Sequence, residues 1–206
     1  MPDMSIQKAP TKETVSLPDP TVGEGMSVSQ ALAARRSATA YSPLGLSPEE
    51  ISQLCWAAQG LTQKRKGLRT SPSARSLFPI TVYLVDEEGV LEYRPKSHSL
   101  GRIGVGDVRR ELAHAAIDQA CLERASVIMI LAMNQKRMKL EFGPWAERLC
   151  LLEAGAIAEN VLIEATAIGL AGIPIGAFHP QAVREILGIS GRQDPVLMIP
   201  LGHPES

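Results

Sequence analysis

A chain of 206 residues with 45% apolar side chains carries enough hydrophobic mass for one substantial core. Its formal net charge of −1 excludes recognition of nucleic acid or of an acidic membrane through a dense cationic surface. Three widely spaced cysteines, Cys55, Cys121 and Cys150, show no CxxC or Cys/His ligand spacing and read as reduced, mostly buried thiols.

Residues 1–24 are rich in Pro, Thr, Lys and Asp and show no period, so they read as a flexible arm, or one lying along a partner. Residues 25–206 form the expected single domain. No basic stretch followed by an apolar core opens the chain, and no apolar run reaches the roughly 20 residues of a membrane span. The expectation is a cytoplasmic protein. Ser27 and Gln30 form a capping box for a helix running to about Ala34. A second box, Ser47 with Glu50, has Pro48 at the first helical position, and that helix ends at Gly60 with Trp56 expected in the core.

A Pro/Ser-rich loop from Ser71 to Pro79 leads into a β-branched strand, Ile80–Val85, with a turn at 86–89 and a return strand to Arg94. Residues 107–119 read as helix, and Ala125–Met133 as a central strand buried on both faces. Asn134 caps a short basic helix that stops at Gly143-Pro144. Trp145–Leu170 has no internal Pro and few polar groups, among them Glu153 and Glu159, which predicts one long helix in the middle of the fold or across a dimer interface. A strand and loop over 171–178, a helix over 180–187 ended by Gly188, and a strand over 195–201 close the chain. Strands and helices mix without strict βαβ alternation, which predicts an α+β fold.

Three segments carry candidate chemistry. Arg35, Arg36 and Ser37 could grip a phosphate through planar guanidinium and hydroxyl donors, or simply complement a helix C-terminus. Ser71, Pro72, Ser73 and Ala74 could let a flat ring approach the backbone, or form an ordinary loop into a strand. The run Gly169 to Phe178 could present backbone N–H groups, or be a helix cap and a turn. The four histidines, His98, His114, His179 and His203, have no metal-like spacing, and no metal is expected. No Gly-x-Ser-x-Gly, GxGxxG or Walker-type loop occurs, which removes the common hydrolase and Rossmann readings.

In this order the segments resemble the nitroreductase-like flavoproteins, most closely the SagB-type dehydrogenase branch. The resembling stretches are Arg35-Arg36-Ser37 with Tyr41, LSPEEISQLCWAAQG from Leu46, SPSARSLFPI from Ser71, LLEAGAIAENVLIEATAIGLAGIPIGAF from Leu151, and Pro200-Leu201-Gly202. The match runs from about residue 27 to 202. It implies a mostly antiparallel sheet flanked by helices, with a long helix at a homodimer interface and FMN bound there. Arg35 and Ser37, with Arg36 nearby, would hold the phosphate. Ser71, Pro72, Ser73 and Ala74 would line the isoalloxazine ring, with Pro174, Ile175, Gly176 and Ala177 beside it and a backbone N–H near N5. Residues 133–145 fall where the family often has a mobile cover.

Three departures stand out. Thr39 occupies the position where the family usually has a cation beside the flavin, and Arg75, where the loop more often has glycine, is the nominated replacement. No Lys or Arg follows Arg192, so the basic C-terminal segment of many relatives has no counterpart. No Lys-Tyr dipeptide occurs, which argues against the azoline oxidation of the SagB branch. The resemblance implies ping-pong hydride transfer from NADH or NADPH through FMN to a small nitroaromatic or quinone-like acceptor, with no catalytic side chain. Lys136, Arg137 and Lys139 form a basic cluster that could meet nicotinamide phosphates or be a solvated face. The alternatives are a dehydrogenase acting on a peptide or metabolite, and a non-catalytic flavin-binding dimer.

Overall fold

The computed structural model describes residues 7–8, 13–23 and 25–205. Its strands are β1 (Gln7–Lys8), β2 (Thr14–Ser16), β3 (Leu61–Gln63), β4 (Leu68–Arg69), β5 (Ile80–Val85), β6 (Gly89–Arg94), β7 (Ser99–Val105), β8 (Val127–Met133), β9 (Ala171–Gly172) and β10 (Asp194–Gly202). Its helices are α1 (Val28–Ala34), α2 (Pro48–Gln59), α3 (Arg109–Ala115), α4 (Ala120–Arg124), α5 (Gln135–Phe142), α6 (Ala146–Ala167) and α7 (Pro180–Leu187). One antiparallel sheet has the order β1-β7-β6-β5-β8-β10-β9, with β2 also pairing β7, and β3-β4 form a separate hairpin. The fold is α+β.

β8 explains the layering. Its seven residues are all buried, and alternate side chains enter opposite cores. Val127, Met129, Leu131 and Met133 pack with α2 and α6, while Ile128, Ile130 and Ala132 pack with α3, α4 and α7. A strand covered on both faces needs no polar alternation, which is why its sequence is one apolar run.

Both capping boxes form: Ser27 and Ser47 accept from the N–H of Gln30 and Glu50, whose side chains accept from the cap N–H in return. Asn134 caps α5 by accepting from Lys136 N, and α7 ends at Gly188 in the left-handed region. α6 is one unbroken helix of 22 residues. It buries Glu153 and leaves Leu151, Leu152, Gly155 and Glu159 exposed along one flank.

Several expectations change. Trp56 is half-buried rather than in the core, lining a surface cavity with Lys64 and His98. The helix expected over 107–119 is α3 alone, because Ile117 and Asp118 turn with φ of 58° and 56° before α4 begins. β7 was not anticipated, since Gly101 and Gly104 interrupt its apolar pattern. Gly101 has a packing reason: a Cβ there would collide with the Arg94 guanidinium. The described part of the arm lies along its own sheet. β2 pairs with β7, Arg102 N donates to Glu13 O, and Ser52 Oγ donates to Pro18 O. The rest of that arm, residues 1–6, 9–12 and 24, lies outside the described residues.

Candidate functional site

β9 organises two of the three candidate segments. Ser37 bridges Gly172 in parallel and Ala38 N donates to Gly172 O at 3.3 Å, so residues 35–39 run beside β9. Gly172 lets β9 lie close to β10, because a Cβ there would stand 2.8 Å from both Leu201 Cδ2 and Pro200 O. Tyr41 then pins the segment to β10. Its buried hydroxyl lies 2.7 Å from Ala38 O and 3.1 Å from Pro200 O, donating between them, and burial pushes its ionisation far above the ordinary range.

The side chains divide by role. Arg36 turns back on α1, its Nη1 donating to Ala33 O at 2.9 Å and Arg35 O at 2.8 Å. It complements the helix C-terminus, as the plainer reading had it. Arg35 is half-buried, with Nε 4.0 Å from Glu159 Oε1 of α6. Ser37 and Thr39 are exposed. A guanidinium and a hydroxyl, two residues apart, are therefore open to an external anion.

Pro174, Ile175, Gly176 and Ala177 follow β9 directly. Ile175 pairs with Met198 of β10, N to O at 2.7 Å and O to N at 2.9 Å, which buries its side chain. Pro174, Gly176 and Ala177 are left exposed. A Cβ on Gly176 would meet only Leu197 Cδ1, at 3.9 Å, so the backbone there faces open space.

The loop at 71–75 is built differently. Ser71 is buried and its Oγ donates to Ala58 O at 2.9 Å, while Thr70 Oγ1 donates to Trp56 O at 3.0 Å, anchoring the loop on the end of α2. Ser73 Oγ accepts from Phe78 N at 2.8 Å. The hydroxyls of Ser71 and Ser73 are thus engaged within the fold, that of Ser73 also toward Glu153 of α6, and Pro72 and Arg75 face outward with Ala74 packed against the α2/α6 core. Arg75, Ser76 and Phe78 all have positive φ, 50°, 54° and 47°. A left-handed backbone at three non-glycine residues within four positions stores strain of a kind concentrated at binding sites. Arg75 reaches Glu141 of α5 at 3.0 Å, tying the loop to the segment nominated as a cover. Lys136, Arg137 and Lys139 are exposed on that helix.

Among the described residues, no hydrogen bond, bridge or ion pair joins this loop to residues 35–39 or 174–177. The two groups meet α6 on different sides. Arg35 reaches Glu159, whereas Asn160 Nδ2 donates to Thr70 O at 3.3 Å, and consecutive helical residues are turned by about 100°.

Beneath the loop lies a polar chain that sequence reasoning missed. Arg69 Nη1 donates to Gln59 Oε1, and Gln59 Nε2 donates to Glu153 Oε1 at 3.4 Å. Gln59 and Glu153 are buried. Burial raises the Glu153 carboxyl above its ordinary range, against hydrogen bonds from Ser73 and Gln59 and the charge of Arg69. The available signal was Glu153, flanked by apolar residues on both sides in α6. The histidines are dispersed: His98 under the arm, His114 against Asp118, His179 before α7 and His203 3.6 Å from Glu50.

The family model for the nitroreductase family matches residues 32–203. The chain belongs to the nitroreductase family. A protein of Methanocaldococcus jannaschii that carries the nitroreductase name is 36% identical over 195 residues, covering 92% of this chain and 96% of that one. A crystal structure named as a nitroreductase, from Ralstonia eutropha, superposes with a TM-score of 0.88 at 25% identity, over 98% of this chain and 94% of the other. The NADPH:FMN oxidoreductase of Vibrio harveyi, solved with NAD+, shares the fold with a TM-score of 0.65 at 20% identity, over 87% and 69% of the two chains. The nitroreductase-family match begins inside α1 and takes in all three candidate segments.

Proposed function

We propose that this protein is an FMN-dependent NAD(P)H oxidoreductase that reduces a small oxidised acceptor, nitroaromatic or quinone-like, as a cytoplasmic homodimer with FMN at the subunit interface. The observation that carries the reading is the juxtaposition across β9 of Arg35 and Ser37, open to an anion, with the exposed backbone of Pro174, Gly176 and Ala177. This donor set fits a phosphate joined to a planar ring. Arg35 gives a planar, permanently charged fork, Ser37 adds a hydroxyl, and the bare backbone at Gly176 lets a ring system lie close. When bound, FMN would supply the electron chemistry between a reduced nicotinamide and an oxidised acceptor.

The chain's own residues bind, orient and exclude water. Arg36 supports the segment through α1 rather than touching phosphate. Pro72 and Ala74, presented by a loop anchored through Ser71 and Ser73, offer a flat apolar surface for the ring. Thr39 can give a hydrogen bond but no charge. Arg75 supplies the missing cation only on leaving Glu141. A second copy supports the site geometrically, because the loop at 71–75 and residues 35–39 flank α6 on different sides. In the proposed dimer, packed along the exposed flank of α6, the loop of one chain would stand by Arg35 and Ser37 of the other.

The test is a visible absorption spectrum of the purified protein, followed by anaerobic addition of NADH or NADPH. Flavin bands that bleach are expected. Bands that stay oxidised would turn the reading to a non-catalytic flavin-binding dimer or another reductant. A protein that stays colourless after reconstitution with FMN would overturn the proposal.

A further inference from the structure

β5 and β6 pair only where Tyr83–Val85 face Val90–Glu92. Beyond that they part: β5 stays paired with β8 back to Ile80, and β6 stays paired with β7 on to Arg94. The gap is a cleft of about 310 Å³ between Ile80–Val82 on one side and Glu92–Lys96 on the other. Arg69, Gln59 and Phe78 close its end.

Arg69 is held here by three features. Its Cζ lies 4.2 Å from the centroid of the Phe78 ring, its Nη1 is taken by Gln59, and its Nε is buried with no acceptor. Among the described residues Nη2 has no acceptor and, with Nε closed off by burial and Nη1 taken, it is the guanidinium nitrogen left for a ligand. A guanidinium N–H gives a carboxylate oxygen a charge-assisted hydrogen bond, stronger than one between neutral groups. Burial weighs on Arg69 more than the nearby Glu153 charge relieves it, so its affinity for its proton falls below the ordinary range. Lys96 stands exposed at the rim, and among the described residues neither it nor Arg69 has an ion-pair partner within 4.0 Å. Glu92 is the opposing charge on the lining. Arg94 contributes less, since its guanidinium crosses Gly101 and Nη1 donates to Thr14 Oγ1 at 3.2 Å, toward β2.

We propose that this cleft binds a small organic carboxylate, with Arg69 as its anchoring cation, Lys96 at its rim and the apolar side chains of Ile80 and Val82 beside its carbon skeleton. The site is separate from residues 35–39 and 174–177.

The test is calorimetric titration of the purified full-length protein, at low ionic strength, with succinate, benzoate and inorganic phosphate in turn. Saturable 1:1 binding of a carboxylate is expected. Lys96→Ala should weaken it several-fold, Arg69→Lys by about tenfold through loss of the Nη2 donor and of the planar group stacked on Phe78, and Glu92→Gln should tighten it. Lys96 is exposed, so its variant keeps the test decisive if Arg69→Lys fails to fold. No saturable heat from any probe would overturn the proposal. So would carboxylate binding that Lys96→Ala and Arg69→Lys leave unchanged. Binding of phosphate alone that disappears in Arg35→Ala would overturn it too, by assigning the anion to residues 35–37.

Discussion

Arg35 and Arg36 are adjacent and chemically identical, yet the backbone gives them opposite work. Arg36 spends its Nη1 on two carbonyls at the end of α1, while Arg35 faces Glu159 at the outer reach of an ion pair. Arg35→Ala should therefore weaken FMN binding at least about tenfold, the loss expected for a charge-assisted hydrogen bond worth ~1.5–3 kcal/mol. Arg36→Ala should leave FMN affinity within about twofold and lower stability by ~0.3–1 kcal/mol, the scale of a charge at a helix terminus. Flavin titration and thermal melts of both variants check the pair, and equal losses of affinity would refute the division. Gly172 matters at the same scale. A methyl there meets Leu201 and Pro200 O, so Gly172→Ala should destabilise by ~1–3 kcal/mol and displace Ser37, measured as a lower melting temperature and weaker FMN binding.

Among the elements, the arm is the one whose attachment depends on pH. His98 Nε2 lies 3.0 Å from Pro18 O and 2.8 Å from Ser52 Oγ, and Nδ1 lies 2.9 Å from the Tyr93 hydroxyl. A neutral ring satisfies this set, with Nε2–H donating to Pro18 O and Nδ1 accepting from Tyr93. Burial holds His98 below its ordinary range, with Lys64 adding to the fall and Pro18 O and Asp19 opposing it. A base whose folded pKa is depressed contributes stability that is present above its unfolded value, about 6.5, and lost as pH falls through the folded value. The melting temperature should thus drop between about pH 7 and 5 more steeply in the wild type than in His98→Gln. Parallel slopes would remove His98 as the latch.

At the scale of the whole molecule, one chain leaves work undone. α1 buries only Ala31 and exposes Val28 and Leu32, too little contact for a seven-residue helix to persist by its own propensity. On α6, Leu151 and Leu152 are exposed and Gly155 opens onto empty space. The second copy in the proposed dimer would cover both surfaces. Leu152→Glu should shift the protein toward monomer in sedimentation experiments and lower its flavin content, because the same contact completes the proposed site. A dimer that persists with full flavin would place the interface elsewhere.

The sequence by itself determined the local elements. Caps at Ser27, Ser47 and Asn134, stops at Gly60, Gly143 and Gly188, and the apolar run of β8 are contacts between near neighbours, so their residue types suffice to locate them. It also marked the three candidate segments by residue type and order. Tertiary structure decided which donors remain free. Ser71 and Arg36 look like ligands in the sequence but meet carbonyls of Ala58 and Ala33, and Arg69, Gln59 and Glu153 became one buried chain through long-range packing. β7 was hidden because Gly101, set against the Arg94 guanidinium of the neighbouring strand, and Gly104 both lower its strand propensity. A hydrogen bond to a distant carbonyl, or a Cβ excluded by another strand, leaves no periodic trace in the chain, and only the folded arrangement reveals it.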